Sequence, residues 1–294
     1  MNKRKIFFII NPHSGVNHGK KGTLPSLIQE VFPEKDFEIK IKSSRSAEDV
    51  FNLSSYAVEH SYETLVVVGG DGTVNEAAEA LCGTKTKLGI IPLGSGNGLA
   101  HHLNIPFGLK ESLESIKTGN NVWIDTLRIN NKLAVSIAGI GFDAKVARQF
   151  ALADKRGFFS YLKISLREYF TYKPRVYTLQ IDGKTIQTRA FFISIANSDQ
   201  FGYNTSIAPA ADIKDGLAEI CIVKRIPLFR TPFFAALLFS KNADKSRYVT
   251  IFKASECTIE RKKGKYVNID GESVKMKKLL QIKVIPESLN VIIP

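Results

Sequence analysis

Apolar and polar positions follow two different periods along the first 125 residues. Short apolar runs such as IFFII and LVVV predict strands, and stretches with helical spacing follow them. One such stretch, SAEDVFNLSSYAVEH, begins with Ser46 and Asp49 at the spacing of a capping box. Strands that alternate with helices are typical of a parallel sheet with helices on its faces. The first part of the chain is therefore expected to be an α/β domain.

After Asp125 the pattern changes to many short strands separated by polar turns. The stretch VYTLQIDGKTIQTRAFFISIANS predicts an antiparallel hairpin that turns at Asp182 and Gly183. Repeated short strands favour a sandwich-like or barrel-like domain. We therefore expect an α/β domain over residues 1–125, with the tail 286–294 as a candidate to return to it. The remaining residues, 126–285, are expected to form a β-rich, sandwich-like domain.

Composition and charge narrow the functional classes. The 294 residues carry a formal net charge of +13, which indicates an anionic partner such as a phosphorylated ligand or an acidic membrane surface. The basic residues form no stripe interleaved with aromatic side chains, so no nucleic-acid partner is expected. The three cysteines are far apart, which argues against a disulfide framework and indicates a cytoplasmic protein. No apolar run is long enough to suggest a membrane-spanning helix.

Three predicted strands end in loops rich in glycine and small polar residues. The loops are residues 11–22, 69–73 and 92–98. In an open parallel sheet the carboxyl ends of the strands form the ligand crevice. Glycine lets the backbone approach a ligand, and amides at a helix N-terminus favour phosphate. The loops therefore predict a phosphate site, in which Asp71 is either an oxygen ligand for a cation or a local turn and helix cap.

Six segments resemble the diacylglycerol kinase and sphingosine kinase superfamily in their order and spacing. They are NPHSG, VVVGGDGTVNE, IIPLGSGNGLA, AGIGFDAKV, DGLAEI and NIDGE. GGDGT is shared with NAD kinases, but the later segments look like the soluble bacterial lipid kinases, and the resemblance covers nearly the whole chain. It implies an N-terminal α/β nucleotide domain and a C-terminal β-rich domain. ATP with Mg²⁺ is expected in the cleft between these domains.

The resemblance also implies which residues contact the nucleotide. Ser95 stands where the family usually has threonine, and Gly98 stands where it has aspartate. Ser43 matches a threonine that touches nucleotide, although this chain is one residue shorter there. The implied ATP-binding residues are Asn11, Ser14, Gly15, Ser43, Gly69, Gly70, Asp71, Gly72, Thr73, Val74, Asn75, Ser95, Gly96 and Asn97.

Phosphoryl transfer requires held phosphates, a divalent cation and a base for the acceptor hydroxyl. The resemblance assigns Asp71 to the catalytic Mg²⁺–ATP or to orienting the acceptor, and Glu272 to the general base. A hairpin turn with an exposed glutamate is the alternative for NIDGE. In ADIKDGLAEI the resemblance implies a second, structural Mg²⁺, bound by Asp215 and by the carbonyls of Asp212 and Leu217. Another Asp-Gly turn is the alternative there.

The acceptor is expected to be diacylglycerol or a related lipid. The GSGN loop and Asp143 look like the sphingosine kinase subgroup, in which a carboxylate could hold an ammonium group, so a sphingoid base is an alternative acceptor. A soluble alcohol is another, and Gly98 keeps open a nucleotide-binding regulator without turnover. The aromatic segment 226–239 either lies at an anionic membrane surface or packs as a helix on the β-rich domain. We expect a cytoplasmic protein peripheral to the membrane, with a homodimer left open.

Overall fold

The chain divides into two compact units. The computed structural model describes residues 3–14, 23–153 and 157–294. Unit 1 contains Met1–Ile124 together with Glu287–Pro294, and unit 2 contains Asp125–Pro286. The last residues of the chain therefore belong to the same unit as the first.

Unit 1 is a parallel sheet with alternating helices. The first strand pairs in parallel with the second and the third, the third pairs with the fourth, and the end of the last strand of the chain pairs in parallel with the fourth. The elements of this unit are β1 (Arg4–Ile10), α1 (Leu24–Val31), β2 (Phe37–Ser43), α2 (Ala47–Glu59), β3 (Thr64–Gly69), α3 (Asp71–Leu81), β4 (Lys87–Pro92), α4 (Gly98–His102) and α5 (Leu109–Thr118).

Helices cover both faces of this sheet, which explains why β1, β3 and β4 are rich in apolar residues, whereas the edge strand β2 alternates. Ile6 and Phe8 of β1 pack into one cluster with Ile28 of α1. The intervening Phe7 points to the opposite face, where its ring centroid lies 5.9 Å from that of Tyr56 in α2. The strand β3 is buried at every position. The carboxyl ends of β1, β3 and β4 are therefore carried on the buried central strands of the sheet.

Unit 2 is built mainly of antiparallel strands, the first of which begins just before the boundary. Its helices are α6 (Phe142–Ala151), α7 (Phe158–Thr171) and α8 (Thr231–Phe239). Its strands are β5 (Asn120–Ile129), β6 (Lys132–Ala134), β7 (Ile137–Gly141), β8 (Arg175–Ile181), β9 (Lys184–Ala190), β10 (Phe192–Ala196), β11 (Gln200–Gly202), β12 (Thr205–Ser206), β13 (Ala218–Val223), β14 (Val249–Ala254), β15 (Glu256–Arg261), β16 (Tyr266–Ile269), β17 (Glu272–Lys275) and β18 (Leu279–Ile293).

Two layers of strands share the core of unit 2. One sheet has the order β14-β13-β10-β7-β16-β17, and the other layer pairs β9 with β8, β8 with β15, and β15 with the first half of β18. Ile193 and Ile220 of the first sheet lie in one buried cluster with Leu179 and Ile259 of the second. The predicted fold class, an α/β domain with a parallel sheet followed by a β-sandwich-like domain, is confirmed.

Candidate active site

Three loops of unit 1 follow the carboxyl ends of neighbouring parallel strands. Asn11 follows β1, Gly70 separates β3 from α3, and residues 93–97 connect β4 to α4. Ser43 is the exposed last residue of β2 and pairs in register with Ile10. Parallel pairing brings all of these positions to one edge of the sheet, where ligands bind in folds of this type.

Asp71 joins two of these loops. Its Oδ2 accepts a hydrogen bond from the amide of Asn97, and its Oδ1 accepts one from the amide of Gly98, both at 2.7 Å. A helix leaves its first amides without partners inside the helix, and a carboxylate satisfies them best. Asp71, at the start of α3, therefore fixes the start of α4. The bond to Gly98 uses only the backbone, so the glycine that replaces the family's aspartate can still make it.

Two glycines in these loops allow the loops to touch each other. A Cβ atom on Gly94 would lie 2.4 Å from the Cα of Gly70, and a Cβ atom on Gly96 would lie 2.8 Å from Oδ2 of Asp71. Side-chain carbons do not approach other heavy atoms this closely, so alanine at either position would force the loops apart. The sequence predicts that these glycines let a ligand approach the backbone. In the structure they also let the two loops contact each other.

Two asparagines complete the connections among the loops. Asn97 adopts a left-handed backbone with φ 52°, accepts from the Gly94 amide at 2.9 Å and donates to the Gly94 carbonyl at 2.8 Å. Asn11 donates through Nδ2 to the hydroxyl of Thr73 at 2.9 Å. Ser14 donates through Oγ to the carbonyl of Asn11 at 2.9 Å. The three loops are thus one hydrogen-bonded unit.

Most of the residues predicted to contact the nucleotide fall within this unit of loops. Gly15 lies outside the described residues, and Ser43 lies at the end of the neighbouring strand. The predicted residues that occur in these loops or in the first turns of α3 are Asn11, Ser14, Gly69, Gly70, Asp71, Gly72, Thr73, Val74, Asn75, Ser95, Gly96 and Asn97.

In unit 2 the NIDGE segment forms a hairpin turn that carries Glu272. Asp270 and Gly271 have φ values of 45° and 88°, which is the pattern of a type I′ turn. The carboxylate of Asp270 also accepts hydrogen bonds from the amides of residues 135–137 at 2.8 to 2.9 Å. Glu272 follows as the exposed first residue of β17. The sequence predicts Asp270 only as a turn residue. In the structure its carboxylate also fixes the backbone beside the predicted base.

Asp143 is buried against the same hairpin. It lies in the first turn of α6, is 7% exposed, and accepts a hydrogen bond through Oδ2 from Nδ2 of Asn268 in β16 at 2.9 Å. Burial raises the pKa of Asp143 to about 6, and the bond from Asn268 acts in the opposite direction. A carboxyl group with a pKa near neutrality can accept or donate a proton under cellular conditions. The family resemblance predicts Asp143 at the substrate. No pattern in the sequence predicts that Asn268 contacts it.

Replacing Asp143 by asparagine is expected to stabilise the protein above neutral pH. The pKa of this carboxyl rises from 3.8 to about 6 on folding. The folded state therefore holds its proton more tightly, and stability is lost as the pH rises from about 4 through about 6. Two pKa units correspond to roughly 3 kcal/mol, and the asparagine oxygen can still accept from Asn268. Urea unfolding at several pH values measures the effect. An equal gain in the free energy of unfolding at low and high pH would contradict this explanation. The same gain in Asp182→Asn, which lies in an exposed turn, would contradict it as well.

The loop of residues 211–217 is held by Asp125. The side chain of Asp125 is fully buried, and its Oδ2 accepts from the Gly216 amide at 2.7 Å. Its backbone amide donates to the carbonyl of Ile213 at 2.8 Å. From the sequence alone, Asp125 marks only the predicted domain boundary. Its hydrogen-bond partner Gly216 is about ninety residues away in the chain, so no local pattern indicates the contact.

Two of the predicted ligands of a structural magnesium ion, the carboxylate of Asp215 and the carbonyl of Asp212, have protein partners. Oδ1 of Asp215 accepts from the Leu217 amide at 2.9 Å, and the carbonyl of Asp212 accepts from the Asp215 amide at 3.4 Å. Oδ2 of Asp215 lies 3.2 Å from the ammonium of Lys253, which also lies 3.5 Å from Oε1 of Glu219. The described residues contain no group of three or more His, Cys, Asp or Glu side chains arranged for a metal. In this structure the ammonium of Lys253 lies beside Asp215 where a cation would bind, and the structural Mg²⁺ stays a prediction.

Lys253→Met is expected to lower the free energy of unfolding by about 1–2 kcal/mol, because it leaves two neighbouring carboxylates without their cation. Glu219 is 2% exposed and burial raises its pKa, so its charge is hard to accommodate alone. Lys184→Met, at an exposed position of β9, is the matched control. Thermal unfolding with and without MgCl₂ checks both points. Stabilisation of the unmodified protein by magnesium alone would contradict the role given to Lys253.

Two family sequence models match the chain. Residues 5–129 match the diacylglycerol kinase catalytic domain, and residues 136–293 match the YegS C-terminal NAD kinase beta sandwich-like domain. Two solved structures from Bacillus anthracis str. Sterne, the second described as a diacylglycerol kinase, align with TM-scores of 0.81 and 0.74. Each alignment covers 100% of this chain and 98% of the solved chain, at 22% and 18% identity, and therefore shows the shared fold.

Curated relatives agree with these matches. "Probable lipid kinase YegS" of Salmonella arizonae is 30% identical over 243 residues, which cover 79% of this chain and 78% of the relative. "Probable lipid kinase YegS-like" of Shewanella frigidimarina is 27% identical and covers 94% and 92%. "Diacylglycerol kinase" of Bacillus subtilis is 23% identical and covers 92% and 90%. The matches to both domains and to these full-length kinases show that the chain belongs to the family of diacylglycerol kinases and YegS-like lipid kinases.

Proposed function

We propose that this protein is an ATP-dependent lipid kinase that transfers the γ-phosphate of ATP to the hydroxyl of diacylglycerol or a related lipid. The observation that carries the proposal is the hydrogen-bonded unit of three loops in which Asp71 holds the amides of Asn97 and Gly98. Amides and small hydroxyls at the carboxyl edge of a parallel sheet suit a triphosphate. The names of the relatives support a lipid as the acceptor.

On the nucleotide side, the loops would hold the phosphates. Candidate donors are the amides at the start of α3 and the hydroxyl of Ser95, which is half-buried. A magnesium ion bound with ATP would neutralise phosphate charge. Asp71, in the first turn of α3, is the candidate carboxylate for positioning such an ion, because hard cations prefer oxygen ligands. Phosphoryl transfer then depends mainly on positioning and on charge stabilisation.

On the acceptor side, Glu272 would take the proton of the lipid hydroxyl. As the lipid oxygen forms its bond to the γ-phosphorus, the bond from that phosphorus to the bridging oxygen breaks and ADP leaves. The hydroxyl proton passes to the carboxylate. Glu272 suits this role because it is exposed on a turn that Asp270 holds in place. Asp143, buried with a pKa of about 6, would contact the head group of the acceptor.

A lipid kinase must also reach an acceptor that lies in a bilayer. Phe159, Leu162, Leu166 and Phe170 are exposed and follow one face of α7 at intervals of three and four residues, and α8 exposes Phe233. In the part of the chain that the structure describes, no helix has the length and apolar character to cross a membrane. With the net charge of +13, we propose peripheral binding to an anionic membrane surface on the cytoplasmic side.

The test is transfer of labelled γ-phosphate from ATP into a total membrane lipid extract, followed by mass spectrometry of the labelled product. Label in phosphatidic acid supports the proposal. Label in a sphingoid phosphate would instead identify the alternative acceptor. Label only in a soluble alcohol would reject a lipid acceptor. Bound ATP without any labelled product would favour a nucleotide-binding regulator.

A further inference from the structure

Unit 2 contains a cavity of about 290 Å³ with a strongly basic wall. Lys145 and Arg148 of α6, Arg175 of β8 and Arg261 of β15 line it, together with two lysines of the turn after β15. The wall thus contains six Lys and Arg side chains and no Asp or Glu. None of these residues belongs to the loops assigned to the nucleotide, which lie in unit 1.

Most of this positive charge has no carboxylate partner. Lys145 is the exception, because its Nζ lies 2.7 Å from Oε2 of Glu168. The guanidinium of Arg148 lies 4.1 Å from the ring centroid of Tyr266, a contact that leaves its charge unneutralised. Across residues 3–14, 23–153 and 157–294, no carboxylate forms an ion pair with Arg148, Arg175, Arg261, Lys263 or Lys265.

Arg261 is the most buried of these cations, with 2% of its surface exposed. Its guanidinium donates to the carbonyls of Tyr266, Met276 and Lys277 at 2.7 to 3.1 Å. Its Nε–H has no acceptor among the described residues, and burial lowers the pKa of Arg261. A buried cation that faces only carbonyl dipoles is unfavourable, and a bound anion would offset that cost.

The neighbouring Arg175 is held in place by the turn after β15. Its guanidinium lies 5.1 Å from the ring centroid of Tyr172. Gly264 has φ +102°, and a Cβ atom there would lie 2.8 Å from Nη1 of Arg175, so the glycine makes room for the guanidinium. Tyr177, which is 1% exposed, adds a hydroxyl to the wall. Arg175 and Arg261 are therefore ordered cations in a wall that also contains the exposed lysines Lys263 and Lys265.

We propose that this cavity binds a phosphate monoester group. Guanidinium groups match pairs of phosphate oxygens, and lysines add positive charge without a fixed geometry. A doubly charged monoester neutralises more of the wall than a phosphodiester with a single charge. A cavity of this size lies at the lower end of small-ligand sites, which suits a phosphate with a short polar extension. A soluble phosphorylated metabolite and a lipid head group both carry this chemistry. The argument for this site does not rest on the proposed kinase activity.

Two binding measurements on the full chain separate the two sources. Isothermal titration calorimetry with inorganic phosphate tests the soluble source. Co-sedimentation with phosphatidylcholine vesicles that contain phosphatidic acid tests the lipid source, with phosphatidylglycerol vesicles as the phosphodiester comparison. We expect Arg148→Gln and Arg175→Gln each to weaken binding about 10-fold or more. Lys184→Gln removes the same charge at an exposed position outside the cavity and is expected to change nothing.

Each outcome decides the proposal. Phosphate binding that weakens in both arginine variants supports the site with a soluble ligand. Binding only to phosphatidic acid vesicles, weakened in the same way, supports it with a lipid ligand. Equal binding to both anionic vesicles, phosphate binding that the variants leave intact, or no binding of either probe overturns it. Thermal unfolding checks that each arginine variant is folded. If an arginine variant does not fold, Lys263→Gln, at an exposed position of the wall, is used in its place.

Discussion

Asp71→Asn is expected to lower kinase activity about 100-fold or more and to destabilise unit 1 even without nucleotide. The carboxylate accepts from the amides of Asn97 and Gly98 at 2.7 Å. Asparagine keeps one acceptor oxygen but places an NH₂ group against the other amide, so one bond becomes a clash of two donors. Hydrogen bonds to a charged group contribute about 1.5–3 kcal/mol each, so we expect a loss of stability of about 2–4 kcal/mol. The loop of Gly94 to Asn97 would then move relative to α3.

Two measurements distinguish this role from metal binding. Urea unfolding of the nucleotide-free protein reports the bond between loops, and steady-state kinetics with varied ATP and magnesium report the reaction. If Asp71 acted only on a magnesium ion bound with ATP, the nucleotide-free variant would be as stable as the unmodified protein. Asp182→Asn is the matched control, because Asn-Gly suits a type I′ hairpin turn as well as Asp-Gly. We expect that variant to keep both activity and stability.

Local signals in the sequence were enough to predict much of the fold. Half of the predicted capping box at the start of α2 is present, since the amide of Asp49 donates to Oγ of Ser46 at 3.1 Å. The carboxylate of Asp49 instead accepts from the amide of Arg45, one residue before the N-cap, at 2.8 Å. The hairpin turn at Asp182 and Gly183 is also present, with φ values of 49° and 74°. These features depend on residues within four positions of each other, so the sequence displays them directly.

The elements that were predicted less well depend on distant partners. The stretch KLAVSIAGIG has a continuous strand-like pattern but is divided into β6 and β7, because the amides of residues 135–137 turn toward Asp270. The hairpin predicted to continue through FFISIANS ends at Ala190. The next strand, β10, instead pairs with β7 and β13 in the other sheet. A propensity pattern cannot show which of two layers a strand joins, because both layers bury the same apolar residues.

The candidate site shows the same limit. Glycine-rich loops after apolar strands locate the edge of the sheet where a ligand would bind, and the sequence predicts that much. The bond from Asp71 to the next loop spans 26 positions, and the bond from Asn268 to Asp143 spans 125. The sequence also does not predict the ion pairs of Lys253, because its partners Asp215 and Glu219 lie on another part of the chain. The oxygen that a carboxylate can offer to a ligand is known only when its other hydrogen-bond partners are known.

Glu272→Gln is expected to abolish most of the kinase turnover while leaving the fold and ATP affinity unchanged. Removing a general base typically lowers kcat by about 10²–10⁴-fold, because the glutamine cannot take the proton of the attacking hydroxyl. Glu272 is exposed on its turn, so the change in stability should stay within about 0.5 kcal/mol. The measurements are initial rates with a lipid acceptor, ATP binding by calorimetry, and thermal unfolding.

A matched pair of variants decides between two carboxylates. If Glu272 is the base, Glu272→Gln should lose kcat, whereas Glu256→Gln, exposed at the start of β15, should keep the rate of the unmodified protein. An unchanged rate in Glu272→Gln would remove Glu272 from the chemistry. Asp143, whose pKa of about 6 suits proton transfer near neutrality, would then be the next candidate. Its asparagine variant should in that case lose kcat with little change in the KM for the lipid acceptor, whereas loss of a residue that only binds the acceptor should raise that KM.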